Sequence, residues 1–192
     1  MEKSRNIVCN DCVGARIYQE KKQNYANPFS WCLIPPKDFE VLYKNFNTIN
    51  FKNYRLEKEG QWYKIIIDDK VTVFYPHYRY DPNFKEIKSK KPGDLNVYYY
   101  KIEDYIKERY EARLARMSGK PIFVIDDNET DLVEGKCAFS ENDLKKFVGK
   151  DDCIITTSNR KVKGKNVVYK PLRKISTGEI ARIILNKTNI WK

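Results

Sequence analysis

The sequence lacks any long run of apolar residues. No window of about 18 residues is apolar and free of charge, as a membrane-spanning helix requires. The N-terminus, Met1 to Asn10, contains only the short apolar piece Ile7 to Cys9, which is too short for a secretory signal. With 192 residues, of which 41 % are hydrophobic, the chain is long enough for one domain with a sizeable core. We therefore expect a compact cytoplasmic protein without a transmembrane segment.

Motifs of several well-known protein classes are also missing. There is no glycine-rich phosphate loop of the Walker or Rossmann type, which argues against a nucleoside triphosphatase or a nicotinamide-dependent dehydrogenase. Of the five cysteines, only Cys9 and Cys12 form a C-x-x-C pair. Because a structural zinc site usually needs a second close pair, reduced thiols in a reducing compartment are the simpler interpretation.

Positive charge is in excess. There are 37 Lys and Arg against 26 Asp and Glu, which gives a net charge of +11. The basic residues are spread along the chain and form no recognisable nucleic-acid-binding module, so we do not expect nucleic acid as a partner. An anionic small-molecule substrate, peripheral association with the inner face of a membrane, or a solvated basic surface each accounts for the charge.

Strand-like and helix-like runs alternate along the chain. Short apolar runs at Ile7 to Cys9 and Ile122 to Ile125 are typical of buried strands. Two further strands are predicted at Cys153 to Thr157 and Val167 to Tyr169. A hairpin is predicted across Tyr63 to Tyr75, because two β-rich runs flank an Asp-Asp-Lys turn. The polar stretch 81–97 is predicted to be a mobile loop.

Helices are expected between these strands. Patterns at Lys37 to Asn45, Lys101 to Met117 and Glu179 to Asn186 favour helices, and Ser140 with Asp143 forms a capping-box pattern for a further one. The alternation predicts a single domain over residues 1–192 with a layered α/β/α architecture and a mixed, largely parallel sheet.

The first candidate site is the stretch from Asn10 to Ala15, where a strand ends and a helix begins. The N-terminus of a helix offers free backbone N–H groups that can bind a phosphate, with Asn10, Asp11 and Gly14 around it. The same position can lower the pKa of the Cys12 thiol and activate it as a nucleophile. A capped turn with a buried thiol is the structural alternative.

Two further candidates are acid–base groups. His77 is the single histidine and follows a predicted strand, so it is a candidate general base, or otherwise a packed or surface residue. Asp126 and Asp127 come directly after a buried strand, where carboxylates can act as a base or hold Mg²⁺ or Mn²⁺. The same acids are also common in ordinary turns.

The last candidate is an arginine row on the long predicted helix. Arg109, Arg113 and Arg116 fall within about 60° of arc and flank its apolar stripe. Guanidinium groups bind phosphates and carboxylates with two parallel hydrogen bonds, so the row is a candidate clamp for a diphosphate. A solvated basic face is the alternative.

These stretches resemble the bacterial family of domain of unknown function 1919, whose members are often labelled exopolysaccharide biosynthesis proteins. The run from Asn10 to Ala15 is similar to the family's Asn-Asn-Cys-Trp-Gly-Gly motif, and His77-Tyr78 is similar to its His-Tyr pair. Tyr110, Arg113 and Arg116 fall on its Trp-x-x-Arg-x-x-Arg helix. Val13 and Tyr110 replace two tryptophans of the family pattern, which alters any surface for stacking on a sugar.

The resemblance implies work on cell-surface glycans. The favoured hypothesis is a glycosyltransferase-like enzyme that uses a nucleotide-sugar donor and a glycan acceptor, with Arg113 and Arg116 neutralising the diphosphate and Asp126 or His77 as the base. Because papain-like cysteine peptidases are more distantly similar, a thiol hydrolase or acyltransferase with Cys12 as nucleophile and His77 as base is the second hypothesis. A non-catalytic basic module for anionic glycans or nucleic acid is the third.

Overall fold

A computed structural model describes residues 5–79, 86–89, 98–127 and 135–191. At residues 77–79, 86–89 and 98–100 it describes the backbone alone. The elements, in chain order, are β1 (Asn6–Cys9), α1 (Val13–Glu20), α2 (Pro36–Asn45), β2 (Tyr54–Glu59), β3 (Trp62–Ile67), β4 (Val71–Arg79), β5 (Glu86–Ser89), β6 (Tyr98–Lys101), α3 (Ile102–Leu114), β7 (Pro121–Asp126), α4 (Glu141–Lys145), β8 (Cys153–Thr157), β9 (Val167–Tyr169) and α5 (Thr177–Lys187).

A four-stranded parallel sheet organises the molecule, with the strand order β1-β7-β8-β9. Its register aligns Cys9 with Val124, Asp126 with Thr156, and Thr157 with Tyr169. The apolar runs that predicted buried strands supply β1 and β7, and the two further predicted strands are β8 and β9. Because all four strands run in the same direction, the residues that follow them gather at one edge of the sheet.

Two apolar clusters lie on opposite faces of this sheet. On one face, Ile7 and Val124 pack with Ile17 of α1 and Ile184 of α5. On the other face, side chains of β7 and β8 pack with α2, α3, α4 and the apolar side chains of β3 and β4. The expected α/β class is therefore confirmed, with helices on both faces of the parallel sheet.

The predicted hairpin is also confirmed, but it belongs to a separate sheet. β3 and β4 pair antiparallel, and β2 pairs with β3 as a third strand that the sequence patterns did not predict. Most of the predicted mobile loop 81–97 lies outside the described residues. The described part of it is β5, which pairs antiparallel with β6.

The helices follow the sequence patterns closely. The predicted capping box at α4 is present, with the Ser140 side chain accepting from the Asp143 amide and the Asp143 side chain accepting from the Ser140 amide. Ser176 and Glu179 form a second capping box at α5. The predicted long helix is α3, which has 13 residues and ends earlier than expected. Among the described residues, no helix is long and apolar enough to span a bilayer.

Candidate active site

A group of charged and polar side chains lies at the carboxyl edge of the parallel sheet, and its centre is Lys170. This residue directly follows β9, and its ammonium group lies 2.9 Å from Asp126 Oδ1 and 2.6 Å from Asp127 Oδ1. Asp126 is the last residue of β7, and Asp127 directly follows it. Burial lowers the pKa of Lys170, but the two carboxylates outweigh this effect and raise it above its usual value. Lys170 is therefore charged at neutral pH.

Asp126 is the most enclosed member of the group, with 1 % of its surface exposed. The Thr156 hydroxyl donates a hydrogen bond of 2.6 Å to the same carboxylate oxygen that pairs with Lys170. The other oxygen, Oδ2, is buried and has no hydrogen-bond partner among the described residues. Burial raises the pKa of Asp126, while Lys170 and Thr156 oppose the rise. The carboxylate is thus held on one side and leaves its second oxygen unused.

Asn10 joins β1 to β7 at this edge. Its side-chain N–H donates to the Asp126 carbonyl at 2.9 Å, and its side-chain oxygen accepts from the Asp126 amide at 2.8 Å. Its own carbonyl accepts a hydrogen bond of 2.9 Å from the Ile34 amide. The predicted binding residue Asn10 therefore positions the backbone of Asp126 with both ends of its side chain.

Asp11 lies beside Asp126 at the start of α1. Its Oδ1 accepts hydrogen bonds from the Val13 amide at 2.8 Å and from the Cys9 thiol at 3.3 Å. Its Oδ2 is buried without a hydrogen-bond partner in the described part of the chain. Burial, followed by the negative charge of Asp126, raises the pKa of Asp11 to about 7. Asp11 therefore exchanges its proton close to neutral pH.

Gly14 has a packing role that the sequence pattern did not reveal. A Cβ atom at this position would lie 2.6 Å from the Cβ of Cys9, which is closer than side-chain atoms pack. Gly14 therefore allows α1 to approach β1 closely, and this approach brings the first turn of the helix to Asp11. The residue packed closely against Gly14 is Cys9. The predicted contact of Gly14 with a ligand stays a prediction.

Cys12 precedes α1 and is 8 % exposed. Burial and the neighbouring Asp11 raise the pKa of the thiol to about 12, against the effect of Arg16. The surroundings of Cys12 thus disfavour the thiolate that a nucleophile requires. The backbone of His77 lies in β4, while its side chain is outside the described residues, so its predicted pairing with Cys12 stays a prediction.

Arg113 of α3 and Arg116, which lies just beyond the end of α3 and not on the helix as predicted, hold the segment 25–30. Arg113 is buried, donates a hydrogen bond of 2.6 Å to the Ser30 carbonyl and lies over the Tyr25 ring at 5.0 Å. Arg116 donates through Nε to the Tyr25 carbonyl at 2.9 Å. Arg109 lies over the ring of its neighbour Tyr105 at 4.9 Å. Their predicted role as a diphosphate clamp is not tested by these contacts.

The charges of Arg113 and Asp11 both act on one buried thiol, that of Cys32. Burial and the neighbouring Cys12 raise the pKa of Cys32, while the charge of Arg113 opposes the rise and the charge of Asp11 adds to it. The segment that Arg113 holds continues to Ile34, which bonds to the Asn10 carbonyl. The structure thus connects α3 to the carboxyl edge through residues 25–34.

A metal site at Asp126 and Asp127 was one expectation from the sequence. Within the described residues, no three His, Cys, Asp or Glu side chains are grouped in a way that could hold a metal ion. The Lys170 ammonium already lies against both carboxylates and neutralises part of their charge. Mg²⁺ or Mn²⁺ binding at this pair stays a prediction.

Lys170, Thr156 and Thr157 are site residues that the sequence reasoning missed. The Thr157 hydroxyl donates to Asp127 in the same way that Thr156 donates to Asp126. The available signal was the position of each residue at the end of a predicted strand, since the ends of parallel strands meet at one edge. The sequence patterns indicate the ends of β1 and β7 as sites, and the ends of β8 and β9 carry these three residues.

Comparison with known proteins places the chain in a family. The family model described as domain of unknown function (DUF1919) matches residues 1–149, so the chain belongs to this family. A search of curated proteins found no match. The matched region includes the turn after β1, the arginines of α3 and the end of β7, while Thr156 and Lys170 lie beyond it. The distant similarity to papain-like peptidases stays a prediction.

Proposed function

We propose that this DUF1919 protein is a glycosyl-group transferase of exopolysaccharide or cell-surface glycan synthesis, which uses a nucleotide-diphosphate sugar as donor. In this proposal, the reaction takes place at the carboxyl edge of the parallel sheet, with Asp126 as the general base. The resemblance to exopolysaccharide biosynthesis proteins supplies the class of substrate.

The observation that carries the proposal is the state of the Asp126 carboxylate. A general base must be held in one orientation, must keep a lone pair that no other donor occupies and works best when its pKa is raised toward neutral pH. Lys170 and Thr156 hold Oδ1 at 2.9 and 2.6 Å, Oδ2 has no hydrogen-bond partner among the described residues, and burial raises the pKa. A carboxylate in an ordinary turn would be solvated and would need none of these contacts.

The proposed chemical step is a displacement at the anomeric carbon of the donor. The acceptor hydroxyl donates its proton to Asp126 Oδ2 while its oxygen forms the new bond to the anomeric carbon. The bond from that carbon to the diphosphate breaks, and the nucleoside diphosphate leaves with the electron pair. Lys170 stays protonated and limits the charge change at Asp126.

Repulsion among Arg109, Arg113 and Arg116 favours an anion on the donor side. Partial burial lowers the pKa of Arg116, and the neighbouring charges of Arg113 and Arg109 lower it further. Arg116 is exposed, and within the described residues only its Nε donates a hydrogen bond, to the Tyr25 carbonyl, so its terminal amino groups remain for a phosphate. A diphosphate bound there would relieve the repulsion between the guanidinium groups.

The second hypothesis, a thiol hydrolase, receives less support from the described residues. A catalytic cysteine needs a lowered pKa or a base within hydrogen-bond reach. The pKa of Cys12 is raised to about 12 by burial and by Asp11. When Asp11 is ionised, its charge disfavours a second negative charge on the neighbouring sulfur. We therefore propose the transferase alone.

Calorimetry with a panel of nucleotide sugars and nucleoside diphosphates, with and without Mn²⁺, tests the proposal. We expect at least one nucleotide sugar to bind, and Asp126→Asn to lower turnover of that donor by roughly 100-fold or more while donor affinity changes little. Arg116→Gln should weaken donor binding and leave the pH dependence of turnover unchanged.

The matched control is Asp104→Asn, which removes an exposed carboxylate in the first turn of α3. It should retain both binding and turnover. The proposal is wrong if no nucleotide sugar or diphosphate binds under any of these conditions, or if Asp126→Asn turns the donor over as fast as the unchanged protein.

A further inference from the structure

A concave site lies at the opposite end of the parallel sheet, near the amino ends of β7, β8 and β9. It is a cavity of about 600 Å³ between the sheet and the chain that follows α5. This volume lies within the range of sites for small molecules. The residues that define its character are Ile122, Ile154, Val168, Ile190, Lys150 and Lys187.

The cavity exists because helices cover only part of this sheet face. α1 and α5 pack over Ile7 and Val124, but α5 ends at Lys187. Ile122 and Ile154, which belong to the same face, are only partly buried against that cluster. An aliphatic floor is therefore left beside the end of α5.

Positive charge surrounds the aliphatic floor. Lys150, Lys165 and Lys187 line the cavity together with one acid, Asp151. Asp151 pairs with Lys165 at 2.5 Å, and both side chains are exposed. In the described part of the chain, Lys150 and Lys187 form no ion pair with a carboxylate. The cavity therefore combines an aliphatic surface with two ammonium groups that no carboxylate of the described residues neutralises.

We propose that this cavity binds a single-chain amphiphile with an anionic head group, such as an alkyl phosphate. The alkyl chain would cover the aliphatic side chains of Ile122, Ile154 and Ile190. Tyr169 also lines the cavity, but Arg160 already lies over its ring at 4.5 Å. The head group would contact Lys150 and Lys187, which match its charge. This site is separate from the carboxyl edge, and the proposal does not rest on the transferase function.

Titration with dodecyl phosphate below its micelle concentration tests the proposal without an activity assay. Isoleucine-methyl NMR should show saturable shifts at Ile122, Ile154 and Ile190, while Ile65 and Ile67 of β3 stay unchanged. Inorganic phosphate and dodecyl maltoside should each bind at least about tenfold more weakly in calorimetry. The phosphate lacks the alkyl chain, and the maltoside lacks the anionic head group.

Charge-reversal variants distinguish binding in the cavity from nonspecific attraction of an anion to a basic protein. Lys150→Glu with Lys187→Glu should weaken dodecyl phosphate binding by about tenfold or more. Lys163→Glu with Lys174→Glu makes the same change of net charge at two exposed lysines outside the cavity lining and should have little effect.

Three results would overturn the proposal. The first is an equal loss of affinity in both double variants. The second is methyl shifts that fall elsewhere than on the three cavity isoleucines. The third is binding to vesicles of anionic lipid without saturable binding of the monomeric amphiphile, which would indicate a surface for membranes in place of a ligand cavity.

Discussion

The two ends of the parallel sheet carry charge in different ways. At the carboxyl edge, Lys170 is 10 % exposed and contacts two carboxylates from β7, which are themselves largely buried. At the amino edge, Lys150 and Lys187 are exposed around an aliphatic cavity. The same residue type thus completes a preorganised internal group at one end and borders an open site at the other.

This difference predicts that lysines at the two ends contribute to different properties, protein stability at one end and ligand binding at the other. Removing one member of a buried ion pair leaves an uncompensated charge in the protein interior, which is costly. Removing an exposed lysine lowers the free energy of unfolding little, because water solvates any carboxylate that it leaves behind. We therefore expect substitutions at the carboxyl edge to change the free energy of unfolding and substitutions at the cavity to change ligand affinity.

The largest expected effect is that of Lys170→Met. This change keeps the length of the side chain and leaves the carboxylates of Asp126 and Asp127 buried without their cation. We expect the free energy of unfolding to fall by about 3–5 kcal/mol in urea denaturation at pH 7. Part of the loss should be recovered at low pH, where the carboxylates take up protons.

Lys165→Met is the matched control for Lys170→Met. Lys165 pairs with a single carboxylate, Asp151, and the two side chains are 68 % and 86 % exposed. The free energy of unfolding should change by less than about 1 kcal/mol. Equal losses in the two variants would contradict the distinction between the two ends of the sheet.

Gly14→Ala should give the next largest effect. The new Cβ would lie 2.6 Å from Cys9 Cβ and would force α1 away from β1. We expect a loss of about 1–3 kcal/mol in the free energy of unfolding. Gly178→Ala in α5 is the control, because its new Cβ has no neighbour closer than 3.8 Å and alanine favours helices, so that variant should be slightly more stable.

Asp11→Asn should give a smaller effect that depends on pH. The pKa of Asp11 is about 7 in the folded protein, against an ordinary value of 3.8. Between these two values the folded state keeps a proton that the unfolded state has lost, so stability contributed by Asp11 falls as the pH rises.

The asparagine variant keeps an acceptor for the Val13 amide and removes this titration. The free energy of unfolding of this variant should exceed that of the unchanged protein by about 1–2 kcal/mol at pH 8, and the difference should disappear toward pH 4. Thermal unfolding across this range measures the difference, with Asp104→Asn as an exposed control. A constant difference between pH 4 and pH 8 would show that Asp11 is charged throughout.

Local patterns predicted the elements well, because each depends on neighbouring residues. The run Ile7 to Cys9 became β1, and the Ser140–Asp143 spacing became a capping box with both hydrogen bonds present. β2 was missed because Tyr54–Glu59 contains four charged residues and only a few apolar ones. Its strand conformation depends on pairing with β3.

The candidate site was less predictable, since its contacts join distant parts of the chain. The Lys170–Asp126 pair spans 44 positions, and the hydrogen bonds between Asn10 and Asp126 span 116. The sequence indicated Asp11 and Asp126 separately, because each follows an apolar strand. Their proximity, and the burial that raises the pKa of both, requires the order of strands in the sheet. The burial of Arg113 likewise depends on the segment that packs over it.

Amide NMR mapping of a bound nucleotide sugar tests the central claim most directly, because it reports which end of the sheet the donor occupies. The account predicts that the largest shifts fall at the carboxyl edge, on Asp11, Asp127, Thr157 and the residue after β9, with smaller changes along the exposed end of α3. Saturable shifts centred on Ile154 and Asn189 at the amino end, with none at the carboxyl edge, would contradict it.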